Sequence, residues 1–156
     1  MIVVSDTSPI CYLLLIDQIE ILPTLYQVII ISQAVVEELS AANSPSVVKK
    51  WIALPPDWLQ IQSTSIPQAL ELEKLDRGER EAIFLAEQQN ADLVILDDKA
   101  ARRLALGRSL RIIGLLGILK DAAQSNLIDL AIVFAKLREV GFWVEPSLLE
   151  RLLRDN

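Results

Sequence analysis

The chain has 156 residues, 52% of them hydrophobic and 23% charged, and carries a net charge of −6. That length and apolar share argue against disorder and for one domain with a sizeable core. With no histidine and one cysteine, Cys11, the composition excludes histidine-based triads, histidine- or thiolate-held zinc and iron–sulfur clusters.

Carboxylates, hydroxyls, Lys, Arg, Tyr and backbone are left to carry any chemistry. The lone Cys11 suits a reduced, intracellular thiol. No apolar run approaches the roughly 18 residues of a bilayer span, and Asp6 interrupts the N-terminal apolar stretch. A cytoplasmic protein without membrane contact is therefore expected. The acidic balance runs against broad nucleic-acid binding unless a local basic patch or a bridging metal meets the phosphates.

In chain order, Ile2–Ser5 reads as a short buried strand, and Asp6-Thr7-Ser8-Pro9 opens a helix running through Ile16. A second helix is expected from Asp17 toward Tyr26, disturbed at Pro23. Gln27–Ile31 is strand-like, and Ser32 caps a helix from Gln33 to about Ala42. Val47–Leu54 forms a short helix stopped by Pro55-Pro56, and Trp58–Gln62 alternates as a half-buried strand does. Pro67–Leu75 looks helical, and Asp76 caps a stronger helix, Arg77–Gln89.

Asp92–Leu96 is a buried strand, Asp98–Leu106 a helix ended by Gly107, and Arg111–Ile113 a last short strand. Helices follow over Leu115–Gln124, Ile128–Val140 (ended by Gly141) and Pro146–Arg154. Strands alternating with helices predict an α/β fold, a mostly parallel sheet with helices on both faces, in one domain over residues 1–156.

The working surface of such a fold lies at the carboxyl ends of its strands. Asp6 and Asp97 each follow a strand directly, although an N-cap role accounts for either one alone. On the helix after Ser32, Glu38 lies at the edge of the Val35-Val36-Leu39 stripe, where a solvated edge residue is an equal reading. Glu79 lies three, four and seven residues before Ala82, Ile83 and Ala86, in line with the buried face of its helix. Asp76 and Glu79 also have capping-box spacing, and spacing alone favours that cap.

Two acids at strand ends and two on inward helix faces would gather four negative charges at one mouth. Their repulsion would raise several pKa values unless cations were bound. Magnesium suits an all-oxygen, water-rich site that meets phosphates, with manganese as a substitute. One or two such ions activate water and stabilise the leaving oxygen of a phosphodiester. Thr7 or Ser8 would support a ligand or open the helix, the second role being the commoner.

Four segments occur in order: Asp6-Thr7-Ser8-Pro9 after an apolar strand, Val35-Val36-Glu37-Glu38-Leu39, Gly78-Glu79-Arg80-Glu81-Ala82, and Leu93-Val94-Ile95-Leu96-Asp97-Asp98. Together they resemble the PIN-domain family, and more narrowly VapC-like toxins and their relatives, over about residues 2–125. The resemblance implies a three-layer α/β/α fold and a metal-dependent ribonuclease with Asp6, Glu38, Glu79 and Asp97 as its acids. It also implies a homodimer and a small antitoxin partner. Three positions depart from the family pattern. The third acid is commonly Asp, Ile95 stands where a hydroxyl is common, and Asp98 competes with Asp97 for the fourth place, spacing favouring Asp97.

Lys99, Arg102, Arg103, Arg108, Arg111 and Lys120 are the cations of the stretch 99–120, the one local basic excess. An exposed helix face accounts for them, and RNA-phosphate contacts by Lys99, Arg102, Arg103 and Arg108 are the functional alternative. The three tryptophans read as core. Leu148, Leu149, Leu152 and Leu153 stripe the last helix, for packing on its own domain or on a second subunit. The rival to a nuclease is a non-catalytic PIN-like module that binds nucleic acid or protein. A haloacid-dehalogenase-type phosphotransferase would need an Asp where Ser8 stands.

Overall fold

The structure, a computed structural model, describes residues 1–65 and 74–154. Short, largely β-branched runs make five strands: β1 (Val3–Ser5), β2 (Ile29–Ser32), β3 (Leu59–Gln62), β4 (Leu93–Ile95) and β5 (Ile112–Ile113). They form one sheet in the order β3-β2-β1-β4-β5, and every pairing is parallel. Among the described residues the helices are α1 (Thr7–Leu15), α2 (Ile21–Tyr26), α3 (Gln33–Leu39), α4 (Ser46–Ala53), α5 (Arg77–Gln88), α6 (Lys99–Gly107), α7 (Leu115–Gln124), α8 (Leu130–Glu139) and α9 (Pro146–Arg154).

Alternation along the central strands sends neighbouring side chains into two cores. Val3, Ile29 and Ile31 join Ile10, Leu13, Val35 and Ile118 on one face of the sheet. Val4, Ile30 and Val94 join Ile83, Ala86, Ala101 and Ala105 from α5 and α6 on the other. The result is the expected α/β/α sandwich. Burial on both faces is why β1 and β2 read as unbroken apolar runs rather than alternating ones.

Several boundaries differ from the sequence reading, each for a local reason. Pro23 does not disturb α2, because it is the third residue of that helix, where no intrahelical N–H bond is required. Gln27 has φ +71°, so β2 begins at Ile29 instead of Gln27. The helix expected to reach Ala42 stops at Leu39. Gly107 stays helical, and the left-handed residue after α6 is Ser109, at φ +63°. Gly141 does end α8, at φ +90°. The helix expected over Pro67–Leu75 lies outside the described residues, except for Lys74 and Leu75, which bend into α5.

Trp51 and Trp58 pack together with ring centroids 5.8 Å apart, but Trp143 is 77% exposed rather than in the core. Leu149 and Leu152 of α9 pack against the chain's own core. No helix among the described residues is long and apolar enough to cross a membrane.

The chain lays β2 and β3 on one side of β1 and then returns to place β4 on the other. That reversal opens a crevice at the carboxyl ends of β1 and β4. Asp6 follows β1 directly, and Asp97 comes two residues after β4.

Candidate active site

Asp6, Thr7, Ser8, Glu38, Asp76, Glu79 and Asp98 line one cleft of about 310 Å³ at this crevice. Asp6 occupies the N-cap position of α1, yet its side chain makes no capping bond to the helix interior. It is only 6% exposed, and its Oδ1 has no partner. Burial pushes its carboxyl up to about 7; the Thr7 N–H opposes this, while the charges of Asp76, Glu38 and Asp97 add to it.

Glu38 arrives on α3, a helix held at its start from two sides. Ser32 Oγ accepts from the Val35 N–H at 3.2 Å, and Glu81 Oε1, reaching over from α5, accepts from the Ala34 N–H at 3.1 Å. Arg77 bonds both Glu81 and Glu37, so a three-residue ionic latch ties α3 to α5. At the other end of α3 the Glu38 carboxylate accepts from the Thr7 hydroxyl. Burial raises the Glu38 pKa; Thr7, the Gly78 N–H and Arg77 lower it, and Asp76 raises it.

Residue 78 is glycine for a steric reason. A Cβ at Gly78 would stand 2.7 Å from Glu38 Oε1, in the space the carboxylate fills. The α3 carboxylate therefore packs directly on the first turn of α5.

Half of the capping box on α5 is present. Asp76 Oδ1 accepts from the Glu79 N–H at 2.8 Å, but Glu79 does not return the bond to the Asp76 backbone. Its carboxyl instead lies beside that of Asp76, and Glu79 Oε2 is buried without a partner. Glu79 is 8% exposed. Burial first, then the neighbouring Asp76 carboxyl and the charges of Asp98 and Asp6, push it up to about 9.

Asp97 and Asp98 divide their work. Asp97 Oδ1 accepts from the Leu115 N–H at 2.9 Å, at the start of α7, and its Oδ2 is buried without a partner. Burial raises the Asp97 pKa, while Leu115 and Arg102 lower it. Asp98 caps α6 through the Ala101 N–H at 3.0 Å. A Cβ on Gly114 would stand 2.7 Å from both Asp97 Oδ1 and Arg102 Nη1, so that glycine leaves room for the pair.

Asp6 Oδ1, Glu79 Oε2 and Asp97 Oδ2 are thus three buried carboxylate oxygens with nothing to accept from. Buried oxygens in that condition are costly unless a cation or proton meets them. As donors they fit a hard divalent ion. Among the described residues, however, no three acids stand close enough together to hold one ion as placed. Unneutralised carboxylates repel, which favours this separation.

Of the basic residues, Arg102 donates to Leu96 O at 2.8 Å and faces Asp97, and Arg108 pairs with Glu87 on α5. Lys99 and Arg103 are exposed. The sequence reading treated Asp76 only as a cap and assigned no part to Gly78, Gly114 or Glu81. The capping spacing did mark Asp76, and Gly78 opens one of the four resemblance segments, but no sequence signal shows the steric part of either glycine, which depends on side chains distant in the chain.

A family model described as a PIN domain matches residues 2–156, reaching through the C-terminal helices beyond the expected residue 125. No curated protein and no solved structure matches the chain.

Proposed function

The chain belongs to the PIN-domain family, and on that premise we propose that it is a magnesium-dependent endoribonuclease hydrolysing RNA phosphodiester bonds. Its fold is nuclease-like, and PIN domains typically use divalent metals. The observation that carries the reading is the set of three buried, unpartnered carboxylate oxygens on Asp6, Glu79 and Asp97, of which Asp6 and Glu79 line the cleft while Asp98 lines it in place of Asp97. A helix cap or a surface acid would have spent those oxygens on N–H groups or water.

In this reading Asp6, Glu38, Glu79 and Asp97 hold the ion, with manganese as a substitute. When bound, the ion supplies positive charge for the phosphate oxygens and lowers the pKa of water at the site. The chain's own part is positioning. Thr7 fixes Glu38, the Leu115 N–H fixes Asp97, and Asp76 holds the first turn of α5 beneath Glu79. Ser8 lines the cleft. We read residues 1–156 as one cytoplasmic domain, a homodimer and the toxin of a toxin–antitoxin pair with a small antitoxin protein.

The wide spacing of the acids favours the alternative, a non-catalytic PIN-like binding module. Incubating the purified chain with single-stranded RNA, with magnesium and then with EDTA, separates the two. Cleavage that requires magnesium and is lost in Asp6→Asn supports the nuclease. Binding without cleavage under every metal supports the module. A short antitoxin-like reading frame beside the gene would support the toxin role.

A further inference from the structure

A second depression lies along α6. Ala100, Leu104 and Arg108 mark one helical stripe of α6, Arg103 flanks it, and Lys74 and Leu75 face it. The space is about 470 Å³, within the roughly 300–1,000 Å³ of small-molecule sites. It is continuous in sequence with the cleft on both sides. Leu75 directly precedes Asp76, and Ala100 lies in the first turn of the helix that Asp98 caps.

The floor is aliphatic, from Leu75, Ala100 and Leu104, and the rim is cationic. Arg108 is held against Glu87 at the far end, which neutralises that acid. Lys74 and Arg103 are exposed and bond no acid among the described residues. An aliphatic floor between two cations that bond no acid among the described residues, one residue along the chain from the acidic cleft at Leu75–Asp76, matches a nucleotide: an apolar base face with phosphates on either side.

We infer that this groove is the subsite for the nucleotide flanking the scissile phosphate of single-stranded RNA, with Arg103 and Lys74 on the phosphates and Leu104 under the base. The inference rests on the nuclease reading and adds the path of the substrate. Arg102 and Arg108 take no part in phosphate contact, because the protein already uses both.

The test is the affinity of the full chain for a short, labelled single-stranded RNA, read by fluorescence anisotropy in EDTA across a salt titration. Cleavage of the same RNA in magnesium is measured separately. Arg103→Ala and Lys74→Ala should each weaken binding about 5–10-fold and flatten the salt slope by about 0.7. Leu104→Asp should weaken it further, while Lys136→Ala on α8, across the sheet, should change little.

Equal losses in the groove variants and in Lys136→Ala would overturn the groove while leaving the nuclease standing if cleavage persisted. A change of molecular mass in the groove variants, with RNA affinity unaltered, would make this face an interface between copies and overturn it too. If the wild type neither bound nor cut RNA, the nuclease reading would fall and the groove with it. Unchanged melting temperatures in Arg103→Ala and Lys74→Ala exclude misfolding, since both side chains are exposed.

Discussion

The carboxylate of Glu38 occupies the place where residue 78, were it not glycine, would carry its Cβ. Glycine in a helix ordinarily costs about 1 kcal/mol against alanine, so Gly78→Ala would stabilise an isolated α5. Here the added methyl displaces Glu38 from the Thr7 hydroxyl, at an overpacking cost of about 1–3 kcal/mol. Gly78→Ala should therefore shift the melting temperature by no more than ~8 °C yet lower RNA cleavage at least ~10-fold. Unaltered cleavage would mean that Glu38 does not need its observed position.

Glu79→Gln separates a ligand from a cap. With its carboxyl pushed up to about 9, Glu79 is largely protonated at pH 7 without metal, and glutamine is nearly its replica. The metal-free melting temperature at pH 7 should stay within ~2 °C of wild type. Cleavage should fall by roughly 100-fold, and the stabilisation that magnesium confers should shrink. Full activity across a magnesium titration would leave Glu79 a structural residue.

Asp97 and Asp98 are distinguished by the same logic. Asn caps a helix as well as Asp does, so Asp98→Asn should keep both the α6 cap and most of the activity. Asp97→Asn should lose cleavage roughly 100-fold, because the neutral amide offers the ion no charge. The opposite ranking would move the fourth acid to Asp98.

Without metal, stability should decline with rising pH. Asp6 moves from 3.8 to about 7 and Glu79 from 4.5 to about 9 on folding, so the folded state binds more protons in these windows. The stability slope with pH is then negative. The associated stabilisation is complete below about pH 4 and is lost as pH rises through 7 and on to 9. Calorimetry in EDTA should show the melting temperature falling between pH 5 and 9. Magnesium should reduce that fall, and a flat profile would contradict the burial of these acids.

Much of this architecture was legible from residue patterns. Apolar runs located four strands and alternation over Trp58–Gln62 the fifth, and strand-then-acid placed Asp6 and Asp97 after β1 and β4. Helical stripes put Glu38 at the edge of one apolar face and Glu79 in line with another, although spacing alone favoured a cap for Glu79. Order within the sheet was not legible, because short parallel strands carry no register signal of their own. Nor was the part of Arg102 and Arg108, which looked like free cations until Leu96 O, Asp97 and Glu87 were found beside them. The steric parts of Gly78 and Gly114 were hidden for a related reason. A glycine kept for another residue's side chain leaves no trace in its own neighbourhood of the sequence.

The latch from Arg77 through Glu81 to the start of α3 sets how the site comes apart. Glu38 and Glu79 stand 41 positions apart in sequence, on helices that hold each other by buried Glu81. Opening α5 leaves the Ala34 N–H without its acceptor, so α3 should loosen in the same step, as one cooperative unit. In native-state hydrogen exchange, the Ala34 amide should therefore share the protection of α5 amides and be lost with them in Glu81→Ala. The two helix-borne acids are then present together or absent together, and a partly opened molecule holds no half-assembled site.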